Sequence, residues 1–355
     1  MQAIELLSER IIEEAHSLQA SDIHLVPRDE DAAVHYRIDD DLIEKHVLKK
    51  DVCQRLISHL KFLASMDIGE RRKPQNGALA FTSAKGKMNL RLSTLPTIYD
   101  ESLVIRLLAK EKVPAVPKLS LFPSITNKLL SFLNHSHGLM IFTGPTGSGK
   151  TTTLYSLLHY SKKNFQRNII TLEDPVESKS DEVLQVQVNE KAGITYAAGL
   201  KAILRHDPDI IMVGEIRDHE TAQIAIRAAL TGHLVLSTMH TRDAKGAIYR
   251  LLEFDVPLSE IEQTLICITA QRLVELKCPF CKEKCSPYCK QMRKIRRTGV
   301  YELLYGKDLS HALENAKGAN TVWSYPTLKD VIKKGIALGY LYPDTYYKWV
   351  FDHEA

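Results

Sequence analysis

The chain of 355 residues carries a formal net charge of +4, with 44% hydrophobic and 25% charged side chains, values ordinary for globular protein with a sizeable core. So small a positive excess gives no ground for a nucleic-acid binder, whose charge is usually concentrated on one basic face, and the length predicts two or three domains. No apolar run approaches the roughly 20 residues that span a bilayer, and Glu5, Glu9, Glu13 and Glu14 argue against a secretory leader, so the expectation is a cytoplasmic chain whose membrane contact is peripheral or through a partner.

Residues 1–18 predict an amphipathic helix, with Ile4, Leu7, Ile11, Ala15 and Leu18 on one stripe. DIHLVPR and AAVHYRID follow as two alternating strands, 51–67 return to helical spacing, and 87–108 predict a hairpin. Together they define a small α+β domain over 1–108. Pro114, Pro117 and Pro123 mark 109–123 as a linker, because proline removes a donor and disfavours helix before it. Beyond it, GLMIFTG, NIITLEDP, IIMVGEIRD and HLVLSTMHT alternate with helical stretches from Lys150, near 195–206 and near 219–231. That alternation predicts an α/β domain over 124–275 with a largely parallel, helix-covered sheet. Residues 276–355 read as a mostly helical tail containing a cysteine cluster.

Gly144-Pro145-Thr146-Gly147-Ser148-Gly149-Lys150-Thr151, followed by Thr152, matches the phosphate-loop pattern at every defined position, between an apolar strand and a helix. The glycines let backbone wrap a phosphate, and the helix start offers unpaired N–H groups to the anion. Lys150 is positioned in sequence to reach the β- and γ-phosphates of ATP, and the Thr151 hydroxyl to ligate Mg²⁺. Three further segments stand at strand ends: TLEDPVE with Glu173, Asp174 and Glu177; GEIRD with Glu215, Arg217 and Asp218; and TGHLVLSTMHT, in which His233 and His240 bracket a strand. Singly, acid clusters are mostly solvated loops and such histidines mostly satisfied edge groups. Placed in order behind a phosphate loop, they point to hydrolysis of a nucleoside triphosphate.

In these motifs the chain resembles the secretion, or traffic, ATPases of type II secretion, type IV pilus and competence pseudopilus machines. The phosphate loop GPTGSGKTTTLY, the Asp box TLEDPVE, the Walker B strand IIMVGEIRD and the His box TGHLVLSTMHT occur in that family's order. ASDIHLVPR, HYRID, DIGERRKPQNGAL and LRLSTLPT…ESLVIRLL extend the resemblance through the N-terminal half, to about residue 305. The short chain and compact cysteine tail resemble the family's competence branch most. The resemblance implies a homohexameric ring in which a PAS-like α+β domain precedes a RecA-like P-loop motor domain. It also implies coupling to a polytopic inner-membrane platform protein, an indirect action on pilin-like subunits, and no direct DNA binding. Residue by residue, it implies Glu215 as Walker B acid and Mg²⁺ partner, with Glu215 or Glu173 as base for the attacking water. Arg91 and Arg106 match arginine fingers that reach a neighbour's nucleotide, Arg217 and Arg205 an interface or closure role, and His233 and His240 γ-phosphate sensors. Where the family often reads RIDG, this chain has Arg37-Ile38-Asp39-Asp40. A retraction motor, a type II secretion ATPase and, from another class, a RecA-like nucleic-acid motor remain as alternatives.

Cys278, Cys281, Cys285 and Cys289 supply four thiols within twelve residues, the number for tetrahedral Zn²⁺, although Lys282-Glu283-Lys284 is a tight spacer for common zinc folds. Zinc and reduced structural thiols both fit the pattern. Lys290, Arg293, Lys294, Arg296 and Arg297 follow, read as a solvated basic run without the aromatics of a stacking platform.

Overall fold

The computed structural model describes residues 2–39, 41–83, 86–109, 114–177, 179–281, 285, 289, 292–293, 295–319 and 322–350. Contacts divide the chain into two compact units, Met1–Lys112 with Cys281–Lys294, and Val113–Phe280 with Ile295–Ala355.

In the first unit, helix α1 (Gln2–Ser17) precedes strands β1 (Ala20–Pro27), β2 (Asp31–Ile38) and β3 (Asp41–Lys49). Helix α2 (Lys50–Leu63) and strands β4 (Gln75–Ser83), β5 (Gly86–Pro96) and β6 (Glu101–Ala109) complete it. The six strands lie in the order β3-β2-β1-β6-β5-β4, and every pairing is antiparallel. Alternation sends Ile23, Leu25, Val34, Tyr36, Leu90, Leu92, Leu103 and Ile105 to a face that shares its core with Ile11, Ala15, Leu56 and Leu60 of the helices. The opposite parity carries a register row, Arg37 beside Asp22, Asp22 beside Arg106, and Arg106 beside Arg91. The unit also holds a buried pair, in which Lys61 Nζ donates to both carboxylate oxygens of Glu101 at 2.9 Å. Strands β3 and β4 were absent from the sequence prediction. Asp41–Lys49 mixes charge with apolar residues, and Gln75–Ser83 opens on polar residues and glycine, so neither alternates cleanly. The predicted helix over 51–67 stops at Leu63. Asp40 lies outside the described residues; Asp39 adopts φ +57°, a left-handed turn that Asp tolerates.

The second unit begins with a single-turn helix at Val116–Lys118 and helix α3 (Pro123–Phe132). Residues 110–113 of the expected linker lie outside the described residues. Val116 and Leu119, in its second half, are buried in the core, so this stretch is a packed part of the unit. Then come β7 (Gly138–Thr143), α4 (Lys150–Phe165), β8 (Ile169–Glu173), β9 (Leu184–Gln187), α5 (Tyr196–Ile203), β10 (Ile210–Val213), α6 (His219–Leu230) and β11 (Leu234–Met239). The chain continues through α7 (Ala244–Glu253), α8 (Leu258–Thr264), β12 (Leu265–Glu275), β13 (Arg297–Tyr305), α9 (Gly306–Ala316), α10 (Leu328–Ala337) and α11 (Asp344–Trp349).

The seven strands run β13-β12-β7-β11-β10-β8-β9, parallel from β12 to β9, with β13 antiparallel on β12. Every residue of β7, β8, β10 and β11 is buried, as expected for central strands covered on both faces. The fold is α/β, as the sequence predicts. The mostly helical tail is corrected in one respect: β13, placed by sequence in the 276–355 segment, is a buried strand of the seven-stranded sheet. Among the described residues, no helix is long and apolar enough to cross a membrane.

Candidate active site

Strand β7 ends in the phosphate loop, and parallel pairing brings the C-terminal ends of β8, β10 and β11 to the same edge. Ligands of open α/β sheets bind at that edge. Gly144, Gly147 and Gly149 take φ of +148°, +79° and +86°, values that only glycine adopts without strain. A Cβ on Gly144 would lie 2.5 Å from the backbone Gln271 O, so close packing also requires glycine there, and one on Gly149 would lie 2.9 Å from the side-chain Nε2 of Gln271. Lys150 Nζ donates to Gly144 O at 2.7 Å and Pro145 O at 3.0 Å. Burial pushes this ammonium down to about 8, an effect opposed by the negative fields of Glu215 and Glu177. Ser148 Oγ is buried and has no protein partner. A glycine cradle, a lysine, an orphaned hydroxyl and Thr151 and Thr152 at the start of α4 fit a nucleoside triphosphate with Mg²⁺.

The two candidate acids differ sharply. Glu173 ends β8 fully within the fold, accepting from Tyr155 Oη at 2.7 and 2.8 Å, Thr171 Oγ1 at 2.7 Å and Gln185 Nε2 at 3.4 Å. Burial raises its carboxyl above the usual range, against the lowering effect of those donors. Glu215 follows β10 at a more open position. Its Oε2 accepts from Arg217 Nε at 2.6 Å, and its Oε1 lies 3.3 Å from His240 Nε2. Three hydrogen bonds fix the Glu215 turn: Gly214 N to Leu172 O, Ser237 Oγ to Val213 O, and Thr238 Oγ1 to Gly214 O. Gly214 itself is closely packed, since a Cβ would sit 3.1 Å from Tyr196 Oη. Asp218 accepts from Thr221 N at 2.7 Å and caps α6.

Not every predicted residue reaches this edge. His233 precedes β11, where its carbonyl accepts from Gly138 N at the start of β7 and its Nδ1 lies 3.0 Å from Ala228 O. Six strand residues separate it from His240, seven steps or about 23 Å at the rise of a β-strand. His233 therefore faces the opposite end of the sheet, and its expected role as a γ-phosphate sensor is corrected on that ground. Arg205 is exposed beyond α5. In the first unit, Arg91 and Arg106 are exposed neighbours on β5 and β6, and Arg106 Nε donates to the buried Asp22 at 2.9 Å.

Residues absent from the motif reading also shape the site. Thr143 Oγ1, at the end of β7, accepts from Thr241 N at 2.7 Å and ties the phosphate loop to the chain after His240. Gln271, on β12, reaches the loop from the other side. Thr143 stands next to the loop and could have been found by position. Gln271 lies more than a hundred residues away and is brought near only by strand order.

Of the four clustered cysteines, Cys281, Cys285 and Cys289 belong to the first unit, where their Sγ atoms lie within 4.8 Å of one another and Cys285 Sγ and Cys289 Sγ are 3.9 Å apart. Tetrahedral Zn–S bonds of about 2.3 Å require sulfur separations of about 3.8 Å, a spacing that Cys285 and Cys289 meet. Cys285 Sγ also accepts from Arg293 Nη1 at 3.6 Å. Lys282-Glu283-Lys284, Lys290 and Lys294 lie outside the described residues.

A parallel sheet whose edge gathers a glycine loop, a buried lysine and a carboxylate paired with histidine and arginine defines a RecA-like P-loop nucleoside triphosphatase. The chain belongs to the family described as Type II/IV secretion system protein, which it matches over residues 1–341. It is 63% identical to "Competence protein ComGA" of Bacillus subtilis (strain 168), covering 100% of this chain and 99% of that one. It is 43% identical to "Type IV pilus assembly ATPase PilB" of Thermus thermophilus over 82% of this chain and 33% of that protein. A solved structure of the pilus retraction motor PilT with bound ADP superposes with a TM-score of 0.69 at 27% identity, covering 98% of this chain and 97% of that one.

Proposed function

We propose that this chain is the ATPase that powers assembly of a competence pseudopilus, working as a homohexamer on the cytoplasmic face of the membrane. Hydrolysis is coupled to a polytopic inner-membrane platform protein, which advances pilin-like subunits for DNA uptake. The observation that carries this reading is 63% identity over the entire chain to a competence protein. The site supports hydrolysis as the activity. Lys150 and the glycine loop hold the phosphates, and Thr151 with Glu215 would hold Mg²⁺, which when bound offsets charge on phosphate oxygens. Glu215 orients and deprotonates the attacking water. It is accessible and held on both oxygens, whereas Glu173 is enclosed by Tyr155, Thr171 and Gln185. Glu173 fixes α4 against β8 through Tyr155. His240 links Glu215 to the chain beyond β11 and is placed to respond to the γ-phosphate. Arg91 and Arg106 act in trans on a neighbour's nucleotide, and Arg217 holds Glu215 at the subunit boundary.

In the host, replacing the chain by its Lys150→Ala variant is expected to reduce transformation to background while the protein still accumulates. Normal transformation by that strain would rule the proposal out. A nucleic-acid motor would instead show DNA-stimulated turnover and salt-dependent DNA binding.

The cysteine cluster holds one structural Zn²⁺ in this reading. Metal analysis of purified protein should find about one zinc per chain, lost in Cys278→Ser/Cys281→Ser. Metal-free wild-type protein purified without chelator would refute it.

A further inference from the structure

Strand β12 carries two neighbouring polar residues, Gln271 and Arg272, that are both buried in the structure. Successive strand residues point to opposite faces, and the partners of this pair follow that rule. Gln271 is paired in register with Tyr301 of β13, and both reach the first turn of α4: Thr153 Oγ1 donates to Gln271 Oε1 at 3.1 Å and lies 3.0 Å from Tyr301 Oη. Arg272 turns the other way, donating to Arg242 O in the loop before α7.

The Gln271 contact bears on the peptide between Ser148 and Gly149. Gln271 Nε2 donates to Ser148 O at 2.8 Å. A trans peptide is planar, with its C=O and N–H pointing in opposite directions. Holding the Ser148 carbonyl toward Gln271 therefore aims the Gly149 N–H away from β12. With Gly149 at φ +86°, this peptide has little steric resistance to rotation. The bond from Gln271 supplies the restraint that glycine lacks. Its other end, on Thr153, ties the same side chain to the helix that begins at Lys150.

We propose that Gln271 is a positioning residue for nucleotide binding, presetting the Ser148–Gly149 peptide so that its N–H is offered to a phosphate oxygen. The proposal rests on the reading of this loop as an ATP site. Gln271 touches no phosphate itself; it acts through the loop backbone. Its effect belongs mainly to binding, because the water-activating Glu215 stands on a different strand.

The test is steady-state ATP hydrolysis and direct ATP titration with the full-length protein. In Gln271→Leu, which keeps similar volume without hydrogen bonds, KM and Kd for ATP are expected to rise about tenfold, as for the loss of one to two net hydrogen bonds, with kcat within about threefold. Gln271→Glu keeps an acceptor for Thr153 and loses the donor to Ser148, so a larger rise in KM is expected. A double-mutant cycle with Thr153→Val should be non-additive, because both changes break one connection. Unchanged KM and Kd in either folded Gln271 variant would overturn the proposal. A merely structural role would lower the melting temperature without that split between KM and kcat. Failure of the wild-type protein to bind or hydrolyse ATP would instead sink the ATP-site reading itself.

Discussion

Glu215→Gln is expected to lower ATP turnover by about 10²–10⁴-fold, the range for removal of a general base, while ATP affinity changes little. The geometry explains the separation. Gln is nearly isosteric, so its amide oxygen can still accept from Arg217 Nε, and the Gly214 turn remains held by Leu172, Val213 and Thr238 on β8, β10 and β11. What disappears is the carboxylate's capacity to take the proton of water beside the phosphate loop. Glu173→Gln provides the comparison in the same assay. Its carboxylate already accepts from three side chains inside the fold, so its loss should disturb the seating of α4 more than proton transfer. Phosphate release under saturating ATP, with ATP binding measured in parallel, separates the two variants. Turnover of Glu215→Gln within threefold of wild type, or a larger kcat loss in Glu173→Gln, would shift the base away from Glu215.

The parts of this site that were legible in sequence are those in which local spacing fixes both the element and its end. The phosphate loop joins strand to helix within eight residues, and IIMV followed by GE puts a carboxylate at a strand's C-terminal edge. His233 and His240 show where a motif misleads. They bracket one strand, and in a parallel sheet only the residue after a strand shares an edge with the other C-terminal ends. Chain direction alone, applied to TGHLVLSTMHT, would have separated them. Gln271 and Tyr301 illustrate the other limit. Their positions depend on β12 pairing with β7 and β13 with β12, and those pairings bridge long stretches of intervening chain. Strand β13 was hidden for a related reason. RTGVYELLY is buried throughout except at its ends, so it lacks the one-sided alternation by which a strand announces itself.

Glu302 carries the largest expected effect on stability. It lies on β13 in register with Ala270, on the parity of Arg272, and its side chain is buried. One oxygen accepts from Ala244 N at 3.0 Å, the first residue of α7, and from Tyr325 Oη at 2.6 Å. The other accepts from Leu328 N at 2.9 Å, the first residue of α10. A single carboxylate therefore satisfies orphan donors at two helix starts, where negative charge is also favoured by both helix dipoles. Its field opposes the burial that lowers the Arg272 guanidinium, and burial together with Glu302 raises the Tyr325 hydroxyl. Removing it in Glu302→Ala leaves two backbone N–H groups and a hydroxyl buried, each costing about 1–3 kcal/mol unpaired, and withdraws the anion facing a buried arginine. A net loss of about 3–5 kcal/mol is expected, comparable to breaking a buried ion pair. Urea denaturation followed by tryptophan fluorescence measures it, because Trp323 and Trp349 lie in this unit, with Trp323 stacked on Tyr325. Glu302→Gln keeps one acceptor oxygen but turns the other into a donor facing an N–H, so it should recover only part of the loss. A cost below about 1 kcal/mol for Glu302→Ala, the worth of one ordinary hydrogen bond, would mean that water or a shifted helix start replaces the carboxylate and that the two helices are anchored by packing alone.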